Sequence, residues 1–171
     1  MGSQSSIEIR QASLKDLRPI MRLANRCILD LAGTKRRRIF QVISDRIKLD
    51  LTLYPRTCLV ASNGRGLVGF SLTEATGSYA SIFLLAVNPQ YRRRGVGSAL
   101  VSDTLNRLAD EGVEYVELMT SLENESAQSF WMRQGFTDAK MKVFSRVSRR
   151  RNARRQTQAF KLEEDARVKG R

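Results

Sequence analysis

The fold of this chain is decided by one stretch, Ile82-Phe83-Leu84-Leu85-Ala86-Val87-Asn88-Pro89-Gln90-Tyr91-Arg92-Arg93-Arg94-Gly95-Val96-Gly97. Its first six residues form a continuous apolar run, which predicts a central strand covered on both faces. A basic turn with two glycines follows, and the apolar spacing beyond it predicts a helix. Such a turn is an anion site, because the first helical N–H groups are unpaired and the helix dipole adds positive potential.

Strands and helices alternate on either side of this stretch. Apolar or alternating runs predict strands at residues 7–12, 57–62, 67–74, 79–87 and 113–119. Helical spacing predicts helices at residues 14–33, 36–51, 97–111 and 124–134. A last hairpin is predicted from residues 140–147 and 157–162. The strand–loop–helix–strand unit around the glycines implies a parallel strand pair.

The first two helices contain residues whose placement the pattern leaves open. Pro19 lies deep for a helix that begins at residue 14, so a kink or a later start is expected. In the second helix several charged residues lie away from the apolar side, and a solvated face is expected for them. They are Arg36, Arg37, Arg46 and Lys48.

The basic turn differs from two common phosphate-binding loops. Leu100 stands where a dinucleotide-binding loop has its third glycine, and no Gly-Lys-Ser/Thr follows as in a Walker A loop. The glycines let the main chain approach a phosphate, and the three arginines neutralise it.

Two motifs carry a resemblance to a known family. Arg92-Arg93-Arg94-Gly95-Val96-Gly97 matches Gln/Arg-x-x-Gly-x-Gly/Ala, and Asn124-Glu125-Ser126-Ala127-Gln128-Ser129-Phe130-Trp131-Met132-Arg133-Gln134-Gly135-Phe136 resembles Asn-x-x-Ala-x-x-Phe/Leu-Tyr-x-x-x-Gly-Phe. The chain thereby resembles GNAT N-acetyltransferases over nearly its whole length, in pattern the members that acetylate ribosomal proteins and N-termini. The resemblance implies an α/β (α+β) fold, with a mixed central sheet of about six to seven strands and about four flanking helices.

The resemblance also implies a site for acetyl-coenzyme A. Main-chain groups of Leu85, Ala86 and Val87 would pair with the pantetheine arm, as an added strand would. The pyrophosphate would be wrapped by Arg93, Arg94, Gly95, Val96, Gly97 and Ser98, with Arg92 nearby, and Asn124 would touch the cofactor. Simpler roles stay open: the two glycines could serve merely to start a helix, Asn124 could serve merely to cap one, and Phe130 and Phe136 could be core residues.

The residues for proton transfer are less evident. In relatives that use a tyrosine acid its place is held here by Trp131, whose indole donates a hydrogen bond but no proton. The places of two glutamate bases found in relatives align with Ser81 and Met119. Glu117 is the candidate base, acting through water, beside the alternative of an ordinary half-buried acid. Main-chain N–H groups near Val87 could polarise the thioester.

Composition limits the classes of site and partner. The chain has no histidine and two distant cysteines, which excludes zinc-ligand spacing, Ser/His/Asp triads and Cys/His pairs. We expect no metal. The net charge of +13 favours anionic partners, and Lys140 to Arg155 favours an acidic or RNA-bound acceptor. The acceptor is predicted to be a protein N-terminus or lysine, in a ribonucleoprotein among other settings. An alternative acceptor is a small-molecule amine. An alternative function is that of a catalytically weak module that binds nucleic acid through Arg149–Arg155.

Domain boundaries and location follow from the same patterns. We expect a flexible N-terminus at residues 1–6, an acetyltransferase domain at 7–162 with a basic loop at 148–156, and a charged tail at 163–171. No apolar run approaches the roughly 20 residues of a membrane span, so a cytoplasmic protein is predicted. Gly2 fits a myristoylation pattern or the remnant of an expression tag. The oligomeric state stays open between monomer and homodimer.

Overall fold

The computed structural model describes residues 6–28 and 36–142. Its strands are β1 (Glu8–Gln11), β2 (Leu59–Ser62), β3 (Leu67–Thr76), β4 (Tyr79–Val87) and β5 (Tyr115–Leu118). Its helices are α1 (Leu17–Ile28), α2 (Arg36–Leu53), α3 (Val96–Asp110) and α4 (Glu125–Arg133), with short 3-10 helices at Leu14–Asp16 and Pro89–Tyr91. Residues up to Thr137 form one compact unit, and a second begins at Asp138.

The five strands form one mixed sheet in the order β1-β2-β3-β4-β5. Neighbours are antiparallel except for β4 and β5, which are parallel. The expected α+β architecture, the four helices and the parallel pair are thereby confirmed. The strand count of six to seven is corrected to five for the described part of the chain. The predicted last hairpin lies outside the described residues, apart from 140–142, which form no strand.

Helices cover both faces of the sheet. One core lies between α1, α2 and the sheet, where Ile20, Ile47 and Phe70 are fully buried. A second core lies under α3, where Leu59 and Leu100 are fully buried. Because β3 and β4 contribute side chains to both cores, they are apolar on both faces, as the run from residue 82 predicts.

The start of α3 lies unusually close to the sheet at Gly69 of β3. A Cβ atom at Gly69 would lie 3.0 Å from the Leu100 Cδ1 atom and 3.3 Å from both the Ala86 carbonyl oxygen and the Val96 Cγ1 atom. A side chain at this position would force its neighbours to move by a few tenths of an ångström. Gly69 therefore sets the height of α3, and of the loop before it, above the sheet.

The open question about Pro19 is resolved in favour of a later helix start. A 3-10 turn occupies Leu14–Asp16, and α1 begins at Leu17. Pro19 then lies in the first turn, where a backbone N–H would have no intrahelical acceptor. No helix in the part of the chain that the structure describes is long and apolar enough to cross a membrane.

Candidate active site

A cleft opens where β4 and β5 part. Their pairing ends at Ile82 and Leu118, whereas β4 continues to Val87. On its other side, the register between β3 and β4 shifts between Leu72 and Thr73, so Phe83 is an extra residue in β4. A bulge of this kind bends a strand and increases its twist. The second half of β4 therefore presents an edge that β5 does not cover.

The main chain at this edge can accept an extended ligand. The Asn88 N–H donates to the Val68 carbonyl at 2.8 Å, so this group points towards β3. Alternate residues of a strand point their main-chain groups to opposite sides. Ala86 therefore faces β3, whereas Leu85 and Val87 face the open edge. The Val87 carbonyl there accepts from the Arg92 Nε atom at 3.1 Å.

The basic loop follows directly after this edge. Arg93 and Gly95 have positive φ angles of 59° and 80°, a backbone shape that turns successive N–H groups towards one point. The first bond of α3 runs from the Ala99 N–H to the Gly95 carbonyl at 2.9 Å. The N–H groups of Val96, Gly97 and Ser98 precede that bond and point out of the helix end. The loop therefore has the geometry of an anion site.

Tyr91 fixes this loop to the rest of the fold. Its hydroxyl oxygen accepts a hydrogen bond from the Asn63 Nδ2 atom at 2.6 Å. The Arg94 guanidinium lies 5.5 Å from the centre of the Tyr91 ring, within the range of a cation–π contact. Arg92, Arg93 and Arg94 are all exposed. Their positive charge therefore surrounds a loop that is held in place.

A side chain at Gly97 would point towards α4, whereas the Gly97 N–H belongs to the open end of α3. A Cβ atom built there would lie 3.4 Å from the Phe130 ring and 3.6 Å from the Val87 Cγ2 atom. Three elements of the cleft thus meet at Gly97: the end of β4, the start of α3 and the middle of α4. Phe130 in turn packs edge-on against Trp131, and Trp131 against Phe136, with ring centres 5.0 and 5.2 Å apart.

Asn124 caps α4. Its side-chain oxygen accepts a hydrogen bond from the Ala127 N–H at 3.1 Å. This is the simple structural role that the sequence left open, and it orients the amide at the start of the helix. A contact between Asn124 and a cofactor stays a prediction.

A row of polar side chains crosses the sheet beside the point where β4 and β5 part. Glu74 of β3 lies opposite Ser81 of β4, and Ser81 lies opposite Glu117 of β5. The structure thus brings together Ser81, at the place of one expected base, and Glu117, the candidate base. Met119 follows the end of β5 and is 74% exposed, so it does not belong to the row.

Tyr79 lies one step along β4 from this row and interacts with it. The Tyr79 ring stacks on Tyr115, with centres 6.1 Å apart. The neighbouring Glu117 carboxylate, together with burial, raises the pKa of the Tyr79 hydroxyl to about 12. The Tyr79 hydroxyl therefore keeps its proton at neutral pH, close to the charge of Glu117.

The sequence missed an ion-pair cluster on the same side of the sheet. Arg46 of α2 donates through Nε to the Asp50 Oδ1 atom at 2.7 Å and through NH2 to the Glu74 carboxylate. Its guanidinium lies 4.5 Å above the ring of Phe83. The solvated face predicted for Arg46 is thus wrong, because the residue bridges three groups. The one available signal was the i,i+4 spacing of Arg46 and Asp50.

Asp50 is the buried end of this cluster. Its side chain is fully buried, and its Oδ2 atom has no hydrogen-bond partner. Burial raises the pKa of the Asp50 carboxyl group, against the opposing effect of Arg46.

Within residues 6–28 and 36–142, no group of His, Cys, Asp or Glu side chains could hold a metal ion.

Comparisons with known proteins agree with this architecture. A family model described as "Acetyltransferase (GNAT) family" matches residues 20–136. A mycothiol acetyltransferase from Clavibacter sepedonicus is 34% identical over 90 residues, which cover 52% of this chain and 30% of that protein. A [ribosomal protein bS18]-alanine N-acetyltransferase from Escherichia coli K12 is 30% identical over 80 residues, which cover 47% of this chain and 53% of that protein. The chain thus spans about half the length, or less, of these curated relatives.

Solved structures share the fold. The PaiA N-acetyltransferase from Thermoplasma acidophilum, solved in complex with coenzyme A, superposes with a TM-score of 0.70 at 21% sequence identity. The superposition covers 80% of this chain and 93% of that one. At this level of identity the likeness concerns the fold alone.

Proposed function

Since this chain belongs to the acetyltransferase (GNAT) family, we propose that it transfers an acetyl group from acetyl-coenzyme A to a primary amine. One observation carries the proposal: the open edge of β4 runs directly into an anion-binding loop. Acetyl-coenzyme A has the matching order of groups, with an amide-containing arm next to a pyrophosphate. An extended arm and an adjacent anion are what this surface accommodates.

The bound cofactor would use the main chain more than side chains. The pyrophosphate would lie against the N–H groups of residues 96–98, with Arg93 and Arg94 supplying positive charge. The pantetheine amides would pair with Leu85 and Val87, whose main-chain groups face the open edge, whereas Ala86 is engaged with β3. The acetyl group would then reach the region of the Phe83 bulge, near the polar row.

Acetyl transfer also requires removal of a proton from the amine. A free lysine amine has a pKa of about 10.4, so it is charged at neutral pH and needs a base before it attacks the thioester carbonyl. We propose Glu117 for this step, acting directly or through one water. The neutral amine nitrogen then forms the new C–N bond, and the C–S bond breaks. The nitrogen loses its second proton to solvent, and the departing coenzyme A thiolate takes a proton from solvent. Main-chain N–H groups at the β4 edge would polarise the carbonyl.

Two relatives bear on the identity of the acceptor. The relative that acetylates the alanine of ribosomal protein bS18 supports a protein N-terminus or lysine. The mycothiol acetyltransferase relative supports the alternative of a small molecule. Nucleic-acid binding through Arg149–Arg155 lies outside the described residues and stays a prediction. The expected domain boundaries and the cytoplasmic location also stay predictions, and the oligomeric state stays open between monomer and homodimer.

Calorimetric titration tests the cofactor. We expect acetyl-coenzyme A to bind the wild type with micromolar affinity, and the double variant Arg93→Gln/Arg94→Gln to bind about tenfold more weakly or worse, because two charge-assisted contacts with phosphate are lost. Acetyl-pantetheine, which lacks the pyrophosphate, should bind both proteins equally. The control is Arg18→Gln, which removes an exposed charge from α1. Failure of folded wild-type protein to bind acetyl-coenzyme A would refute the proposed enzyme.

A further inference from the structure

The acceptor side of the cleft carries two carboxylates in one row. Glu74 and Glu117 lie on the strands on either side of Ser81, in direct register with it. Adjacent strands are about 4.8 Å apart, so the Cβ atoms of the two glutamates are separated by roughly 10 Å. Both side chains are partly exposed on the face of the sheet that α2 covers at Arg46. Two positive charges at about this separation, or one charge above Ser81, would be complemented here.

Glu74 is held in a fixed orientation, unlike an ordinary surface acid. Arg46 binds one of its carboxylate oxygens with NH2, while the Nε atom of the same guanidinium is bound to Asp50. The guanidinium also stacks on Phe83, the bulge residue. Because Arg46 is anchored by two other groups, its contact with Glu74 restrains the glutamate and leaves the second Glu74 oxygen available to a ligand.

The fully buried Asp50 indicates that this restraint has a function. One of its oxygens is bound to Arg46, and the other has no partner. A buried carboxylate with an unsatisfied oxygen destabilises a fold, and an apolar side chain would fit the same helix position at lower cost. Asp50 does, however, fix the far end of Arg46. We attribute its presence to that task.

Charge in this part of the cleft runs against the charge of the whole protein. Asp50, Glu74 and Glu117 carry three carboxylates, and Arg46 supplies one guanidinium, so these four residues have a formal charge of −2. The chain as a whole carries +13. A positively charged acceptor is repelled by most of the molecule and attracted by this row.

Building on the proposed function, we propose that Glu74 is a specificity residue that favours acceptors with a second positive charge near the reactive amine, and that Arg46 is the residue that positions it. The reactive amine lies at Glu117, and the second charge lies at Glu74. This differs from the acidic or RNA-bound acceptor that the sequence predicts, because that prediction rests on Lys140 to Arg155 and not on the row.

Two matched series of acceptors test the proposal. The first consists of 1,5-diaminopentane, pentylamine and 5-aminopentanoate, which present one primary amine and differ in the charge at the far end. The second consists of peptides with a free N-terminal alanine, identical except for lysine, glutamine or glutamate at the second position. The rate of turnover is measured as the rate at which the coenzyme A thiol is released. Where there is no turnover, affinity is measured by titration into the complex with coenzyme A.

The wild type should favour the cationic member of each series. Glu74→Gln should raise KM for that member about fivefold, the upper range of a partly exposed ion pair, with the change falling on KM rather than kcat. Arg46→Lys keeps the charge but loses the planar two-pronged contact, so it should lose part of the preference. Glu8→Gln, on β1 at the opposite edge of the sheet, removes the same charge as a control.

Each outcome decides between the proposals. A wild-type preference for the anionic member, or an unchanged preference in Glu74→Gln, overturns the assignment of Glu74. An unchanged preference in Arg46→Lys overturns the positioning role of Arg46 alone. Acetyl-coenzyme A titrated into every variant separates these results from failure of the proposed function, in which the folded wild type would not bind the cofactor.

Discussion

Gly69→Ala tests how the sheet sets the position of the anion loop. The new methyl group would lie 3.0 Å from the Leu100 Cδ1 atom, and 3.3 Å from the Ala86 carbonyl oxygen and the Val96 Cγ1 atom. Leu100 is fully buried and the carbonyl belongs to a strand, so the strain is relieved mainly by lifting the start of α3. Overpacking of this kind destabilises a core by about 1–3 kcal/mol.

Thermal unfolding, urea unfolding and cofactor titration measure the consequences of this change. At about 2–4 °C per kcal/mol for a chain of this size, we expect Tm to fall by roughly 2–12 °C, with an unchanged m-value. Binding of acetyl-coenzyme A should weaken as well, because Val96 begins the helix whose N-terminus is proposed to bind the pyrophosphate.

Gly97→Ala is the matched control for this variant. Its methyl group would lie 3.4 Å from the Phe130 ring, an ordinary contact, and alanine favours the helix by up to about 1 kcal/mol. Its stability should therefore equal or exceed that of the wild type. Equal stability of Gly69→Ala and the wild type would refute the close packing at Gly69. A large loss of stability in Gly97→Ala would contradict the looser packing at Gly97.

Three further substitutions test the shape of the basic loop, the Arg10–Asp16 ion pair and the candidate base. Gly95→Ala forces a side chain into a φ of 80°, so it should lose about 1 kcal/mol in urea unfolding and weaken binding of acetyl-coenzyme A; full retention of both would contradict the loop geometry. The hydrogen bond from Arg10 lowers the pKa of the Asp16 carboxyl group in the folded protein. Asp16 therefore contributes fully to the free energy of unfolding above its unfolded pKa of about 3.9, and this contribution is lost as the pH falls through the lower folded pKa. Asp16→Asn should make stability depend less on pH below about 4, and an unchanged pH dependence would contradict this linkage. Tyr79→Phe keeps the ring stacked on Tyr115 but removes the hydroxyl group next to the Glu117 carboxylate, so kcat should fall severalfold while acetyl-coenzyme A affinity is retained. An unchanged kcat would argue against Glu117 as base.

Local patterns predict the centre of the fold well. Residues 79–87 form a strand with the expected bounds, and the glycine-containing turn leads into α3 as expected. Both features depend on residues adjacent in sequence, where apolar periodicity and glycine conformation dominate. The parallel pairing of β5 follows from the same local unit, since a helix must return the chain to the neighbouring strand.

Long-range contacts account for what the sequence could not provide. The bulge at Phe83 arises from the register between two strands. Gly69 matters because it packs closely against a helix that begins 27 positions later, at Val96. Arg46 is indistinguishable from other helix-surface arginines until Glu74 and Phe83 are placed beside it. Such residues are recognised only when the elements that carry them are packed together.

Residue-resolved hydrogen exchange with and without acetyl-coenzyme A tests whether the cofactor binds along the open edge of β4 and at the start of α3. We expect new protection of the Leu85 and Val87 amides at the open edge and of the Val96, Gly97 and Ser98 amides at the start of α3. The Ala86 amide faces β3 and should change little. Protection elsewhere, or none at these five amides while the cofactor is bound, would contradict the proposed cofactor site.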